Sequence, residues 1–81
     1  NIDGHYGLGG IYNLEKKYLE AEKAFKSAIQ LDPTHVNTWY SLGYTYELMG
    51  KEEEAKKSFE KYHRLKKKMD SILNKEKPWD H

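Results

Sequence analysis

Apolar residues recur along this chain at three- and four-residue steps, the spacing that gathers side chains on one face of an α-helix. His5, Leu8 and Tyr12 make one such stripe, and Trp39, Leu42 and Tyr46 make another. After each comes a second series: Ala21, Ala24, Phe25, Ala28 and Leu31, then Ala55, Phe59, Tyr62 and Leu65. A helix that is apolar on one side only must pack on a neighbour, so the pattern predicts helices in pairs. Asp32-Pro33 reads as an N-cap followed by a first helical residue, where a missing N–H is harmless. Gly50 reads as a helix stop after Met49. From Lys51 to Lys77 there is neither Gly nor Pro, and the apolar positions continue through Met69, Ile72 and Leu73. One long final helix is therefore expected, stopped near Pro78. Its acidic start, Glu52-Glu53-Glu54, suits the helix dipole. Glu22/Lys26, Glu52/Lys56, Glu53/Lys57 and Glu60/Arg64 stand four apart in the favourable order.

The two halves of the pattern are copies. Sliding the sequence by 34 residues lays 2–35 on 36–69 with eleven identities and no gap, among them Tyr6/Tyr40, Leu8/Leu42, Gly9/Gly43, Tyr12/Tyr46, Ala21/Ala55 and Phe25/Phe59. A fixed period of this length marks a solenoid of stacked helical units. Trp39-x-x-Leu42-Gly43-x-x-Tyr46 followed by Ala55-x-x-x-Phe59 resembles the tetratricopeptide-repeat signature. The first copy reads His5-x-x-Leu8-Gly9-x-x-Tyr12, then Ala21-x-x-x-Phe25, and closes on Leu31-Asp32-Pro33. Three positions depart from the pattern: His5 replaces Trp, Tyr62 replaces a small residue, and Lys67 stands where the first copy has Pro33. The resemblance implies an all-α fold: two antiparallel helix-turn-helix units, 2–35 and 36–69, plus a helical extension, 70–81, that caps the second unit. Gly9 and Gly43 cost roughly 1 kcal/mol each in a helix interior. They are expected where the partner helix approaches closely, with Ala21 and Ala55 opposite.

Composition narrows the function. Net charge is +1, so no global field directs the chain to nucleic acid or membrane. The absence of cysteine removes disulfides and thiolate metal sites. Together with the lack of a signal peptide, it leads to the expectation of a cytoplasmic location. No apolar run approaches the ~20 residues of a membrane span. The chain opens on Asn1 rather than Met, and a piece of a longer protein is expected. Eighty-one residues bury only a thin core, and two repeats fall short of the roughly three a solenoid usually needs. Either the long helix or another chain is expected to complete that core.

Candidate chemistry is sparse. Gly4-His5-Tyr6-Gly7-Leu8-Gly9-Gly10 has the look of a phosphate loop but lacks the preceding strand and the following Gly-Lys-Ser/Thr. Its glycines point instead to a helix that frays. His5, His35, His63 and His81 have no metal-ligand spacing, and no nucleophile constellation is present. Neither catalysis, a cofactor nor a metal is expected. Lys51, Lys56, Lys57, Lys61, Arg64 and Lys66-Lys67-Lys68 form a basic run that could contact RNA or acidic lipid. A solvated helix face, with a salt-dependent affinity as the discriminating test, is the simpler reading.

The resemblance also supplies a candidate surface. In the tetratricopeptide family the first helices of successive repeats line a concave groove that holds a peptide or helix of a partner protein. Carried onto this sequence, the groove comprises Tyr6, Asn13, Asn37, Tyr40, Tyr44 and Glu47, beside Asp3 and Gly10. Tyr offers contact area and a hydrogen bond at low entropic cost. The chaperone-binding version of the groove is not expected, because Tyr6, Gly10 and Ser41 occupy the positions of its basic clamp. Two functions follow as expectations: a protein-interaction module or, alternatively, self-association with the long helix packed on or swapped into a second copy.

Overall fold

The computed structural model describes residues 2–75. It comprises α1 (Ile2–Leu14), α2 (Tyr18–Leu31), α3 (Val36–Leu48) and α4 (Glu52–Lys75), with no strand among the described residues. The helices run as two antiparallel pairs, α1 with α2 and α3 with α4. The pairs join chiefly through α2 on α3. The all-α architecture expected from the periodicity is thus present. The core is thin: Ala21, Phe25, Leu42, Tyr46 and Ala55, walled by Tyr6, Tyr12, Ile29, Met49 and Phe59.

Both short inter-helix turns use one device. At the end of α3, Gly50 takes φ +78°, its N–H bonds to the Glu47 carbonyl at 3.0 Å, and Lys51 N–H bonds to that of Tyr46 at 2.8 Å. These are the paired bonds of a Schellman motif, which needs a left-handed residue just past the helix. At the end of α1 the same two bonds run from Lys16 to Asn13 and from Lys17 to Tyr12. Lys16 there carries φ +63° despite its Cβ.

The turn between the repeats differs from the expectation. Asp32 and Pro33 do not begin α3. Asp32 caps the C-terminus of α2, its N–H bonded to the Ala28 carbonyl at 2.9 Å. Its carboxylate accepts from Thr34 N (3.0 Å) and Thr34 Oγ1 (2.6 Å), and these bonds hold the group below the usual aspartate range. The side chain thus closes a local turn instead of capping the next helix. α3 starts three residues later, with His35 as N-cap. The Pro33 carbonyl accepts the Trp39 indole N–H at 2.8 Å, tying the turn to the new helix.

Two further expectations need correction. The close approach at Gly9 and Gly43 is made by rings, not alanines: Phe25 lies over Gly9 and Phe59 over Gly43. Ala21 and Ala55 are buried in the core cluster instead. Leu8 and Leu31 are not core residues. Leu42 is 3% exposed because α2 lies over it, whereas its counterpart Leu8 is 42% exposed because, among the described residues, no helix lies over α1 in the same way. Leu31 is exposed as the last residue of α2.

α4 lies on α3 through Ala55, Phe59 and Tyr62. Farther along it, Met69, Ile72 and Leu73 are about half exposed. Twenty-four helical residues span about 36 Å at 1.5 Å each, so α4 outruns the 13-residue α3. Pro78, expected to stop this helix, and His81 lie outside the described residues. Of the four expected i,i+4 ion pairs, Glu22–Lys26 closes, at 3.0 Å. The other three do not close among the described residues, in keeping with the small energy of exposed pairs.

Candidate functional site

The first helices of the two repeats, α1 and α3, carry the six residues that the sequence nominates for a groove. On α3, Asn37, Tyr40, Tyr44 and Glu47 follow at steps of three and four, so they share one face. All four are exposed. Tyr40 and Tyr44 are each about half exposed, yet they are held differently. Tyr40 is buttressed from α4, its ring centroid 5.5 Å from Phe59 and 5.1 Å from Tyr62 in edge-on geometry. Tyr44 has no ring neighbour or hydrogen bond among the described residues. One tyrosine is fixed and the other is presented.

On α1 the nominated residues have structural duties. Tyr6 is half-buried, its ring 5.9 Å from Phe25 and 5.2 Å edge-on from His35. It thereby ties the first helix to the turn before α3. Asn13 Nδ2 donates to Thr45 Oγ1 at 2.8 Å, and that hydroxyl in turn donates to the Ser41 carbonyl at 2.9 Å. This is the side-chain hydrogen bond between α1 and α3. Asn13 therefore stitches the floor of the surface, while Asn37 and Glu47 remain exposed at its edge.

Several residues that matter here were absent from the sequence reading. Thr45 and Thr38 are fully buried. Thr38 Oγ1 lies 2.6 Å from His35 Nδ1, which fixes the imidazole beneath Tyr6. Each threonine stands on a helix face otherwise turned inward, a pattern that a one-sided apolar stripe does not reveal. A second network joins the repeats on the other side of α3. The Tyr46 hydroxyl donates to Glu22 Oε2 at 2.8 Å, and Lys26 pairs with the same oxygen at 3.0 Å. Partial burial alone would raise the Glu22 carboxyl. Lys26 and Tyr46, with the charge of Lys51, outweigh it and hold Glu22 below the usual glutamate range. Burial and Glu22 together raise the Tyr46 hydroxyl.

The glycine-rich start of the chain is helical from Ile2, so it forms no phosphate loop. No cluster of His, Asp or Glu able to hold a metal occurs among the described residues. No helix among them is long and apolar enough to cross a membrane. Along α4, Lys61 lies over the Trp39 ring (5.9 Å) and Lys66 over Tyr62 (5.7 Å). Two of the basic residues thus rest on aromatic faces.

Two antiparallel helix pairs related by a 34-residue translation, each closed by a glycine under a phenylalanine, define an α-solenoid repeat protein. The chain belongs to the tetratricopeptide-repeat family, whose profile matches residues 2–68. It is similar to protein bimA of Emericella nidulans, with 35% identity over 63 residues that cover 72% of this chain and 8% of that protein. It is also similar to the tetratricopeptide repeat-containing protein trd-1 of Caenorhabditis elegans, with 34% identity over 64 residues, 79% of this chain and 8% of the relative. The chain therefore spans about a twelfth of the length of each of these relatives. Repeats of this family are in general protein-interaction modules, typically without catalysis of their own.

Proposed function

We propose that this chain binds a segment of a partner protein on the surface shared by α1 and α3, with Tyr44 and Tyr40 as anchors and Asn37 and Glu47 as polar contacts. Tyr6 and Asn13 shape the floor and the edge beside α1. The observation that carries this reading is the pairing of Tyr40 and Tyr44 one turn apart. Each is half exposed, one braced by Phe59 and Tyr62 and the other unbraced. A braced aromatic loses little freedom on binding, and an unbraced one offers exposed ring area and a hydroxyl. Asn37 and Glu47 supply a donor and an acceptor on the same face for a backbone or a cationic side chain.

The test is selection of ligands from displayed peptide libraries, extended and helical, against the whole chain, followed by affinity measurement with Tyr44→Ala. Tyr44 has no ring contact and no hydrogen bond among the described residues and is half exposed, and circular dichroism checks that the variant keeps its fold. Selected ligands that bind Tyr44→Ala at least about tenfold more weakly, about 1.4 kcal/mol, support the groove. Ligands that bind the variant as well as the wild-type chain overturn it.

A further inference from the structure

The helices divide the charge of this chain unevenly. Neither α1 nor α3 contains a lysine or an arginine, and their charged residues are Asp3 and Glu47, both exposed. Lys23 and Lys26 lie on α2, and seven lysines with Arg64 lie on α4. The cations that follow the two inner helices are in the turns. Lys17 pairs with Glu15 at 3.6 Å, Lys16 stands beside it, and Lys51 acts on Glu22 at the other side of α3. The inner pair of helices is thus the acidic part of a chain whose longest helix is basic.

Around Glu47 the imbalance is local as well. With Glu52, Glu60, Lys56 and His63 it lines a hollow of about 410 Å³, where three carboxylates face one lysine. Glu47 itself closes no ion pair and no side-chain hydrogen bond among the described residues. Three residues before it on the same face stands Tyr44, about half exposed. Residues so spaced are neighbours on a helix surface, their Cβ atoms about 5–6 Å apart. An open phenol ring therefore adjoins an unpaired carboxylate. The chain shows elsewhere what such rings attract: Lys61 rests over Trp39 at 5.9 Å and Lys66 over Tyr62 at 5.7 Å. Among the described residues, no cation of the chain itself covers Tyr44.

We propose that the partner segment bound on the α1/α3 surface is cationic, with one arginine seated on the ring of Tyr44 and paired with Glu47. This rests on the groove reading given above and adds the class of ligand. Arginine fits better than lysine because its planar, weakly hydrated guanidinium stacks on an aromatic face while its edge forks onto a carboxylate. Asp3 at the start of α1 and Glu47 in the last turn of α3 put an acid toward each end of the surface. Between them Tyr6, Asn13, Asn37 and Tyr40 carry no charge. The cations of α4 repel the same segment, so the field of the chain steers it to α1 and α3. An acidic segment would be drawn to α4 instead.

The probes are the displayed random peptides selected on the whole 81-residue chain, each then synthesised with its arginines intact and with citrulline in their place. Selected peptides are expected to be enriched in arginine. Binding should weaken at least about threefold with citrulline and equally in the chain variant Glu47→Gln, the scale of one partly exposed ion pair. In Glu47→Lys the preference should reverse, so that a glutamate-for-arginine version of a peptide binds better than its parent. Glu47 is exposed, and thermal melts check that both variants stay folded. Peptides that lose affinity for Tyr44→Ala but bind Glu47→Gln as well as wild type would leave the groove standing and overturn the cationic ligand. Peptides indifferent to Tyr44→Ala and Glu47→Gln alike, or a selection without binders, would overturn both. Acidic peptides whose binding is lost in Lys67→Glu/Lys68→Glu would move the ligand to α4 and overturn the proposal as well.

Discussion

The ring of Phe25 lies across Gly9 so closely that a β-carbon built there would stand 2.6 Å from it, and Phe59 covers Gly43 in the same way at 2.8 Å. Helix propensity favours alanine over glycine by roughly 1 kcal/mol, but overpacking a filled contact costs about 1–3 kcal/mol. Gly9→Ala and Gly43→Ala are therefore expected to lower the melting temperature. At Gly10 a β-carbon meets nothing within 4 Å. Gly10→Ala is expected to raise stability by up to about 1 kcal/mol, the propensity gain alone. Thermal melts of the three variants check both signs, and a stabilised Gly43→Ala would refute the ring contact.

Lys16 and Gly50 occupy equivalent positions in the two Schellman turns, at φ +63° and +78°. A side chain in the left-handed region costs about 1–2 kcal/mol, whereas glycine reaches it freely at some cost in chain entropy. Lys16→Gly is expected to stabilise the protein by roughly 0.5–1 kcal/mol. Chemical denaturation of this exposed-site variant measures it. The reverse change, Gly50→Lys, should destabilise by a comparable amount.

The Glu22 cluster gives stability a pH dependence at both ends. Glu22 is held below the ordinary value of 4.5, so its contribution is full above that value and is lost as pH falls through the folded-state value. Tyr46 and Lys26 are both raised, from 10.0 by burial and Glu22, and from 10.5 chiefly by the bond to Glu22. Their contribution is full below pH 10 and is lost as pH climbs through the raised values. Melting temperature should fall on both sides of neutrality. Glu22→Gln should flatten the acid limb and make the alkaline limb shallower, since burial still acts on Tyr46.

The Asn13–Thr45 bond is the polar stitch between α1 and α3. Thr45→Val leaves a half-buried amide without its partner and is expected to cost about 1–3 kcal/mol. A double-mutant cycle with Asn13→Ala should return a coupling of at least about 0.5 kcal/mol. Additive losses would show that the two side chains stabilise the protein independently.

Most of the fold was legible in one dimension, because a repeated stripe encodes both the helix period and the need for a partner. Gly9 and Gly43 announced a close approach, yet not what approached. A ring four residues past the repeated alanine reaches the glycine only once the crossing of the two helices is set. Asp32-Pro33 suited two local roles equally. Thr34 decided between them by donating twice to the Asp32 carboxylate. The groove residues were nominated as a set because they share a stripe. Burial then separated them, Asn13 and Tyr6 inward and Tyr44 outward, according to which neighbouring helix lies above each.

By itself the sequence determined the helices, their pairing, the 34-residue translation and the family. All of these are periodic or local, and a side chain's phase along a helix is fixed by its position in the chain. Only the tertiary structure decided that Leu42 is core while Leu8 is surface, and that Tyr46 has an acid partner while Tyr12 has none among the described residues. Identical residues at equivalent positions differ there because burial depends on what lies opposite, and among the described residues a helix lies opposite only one of the two.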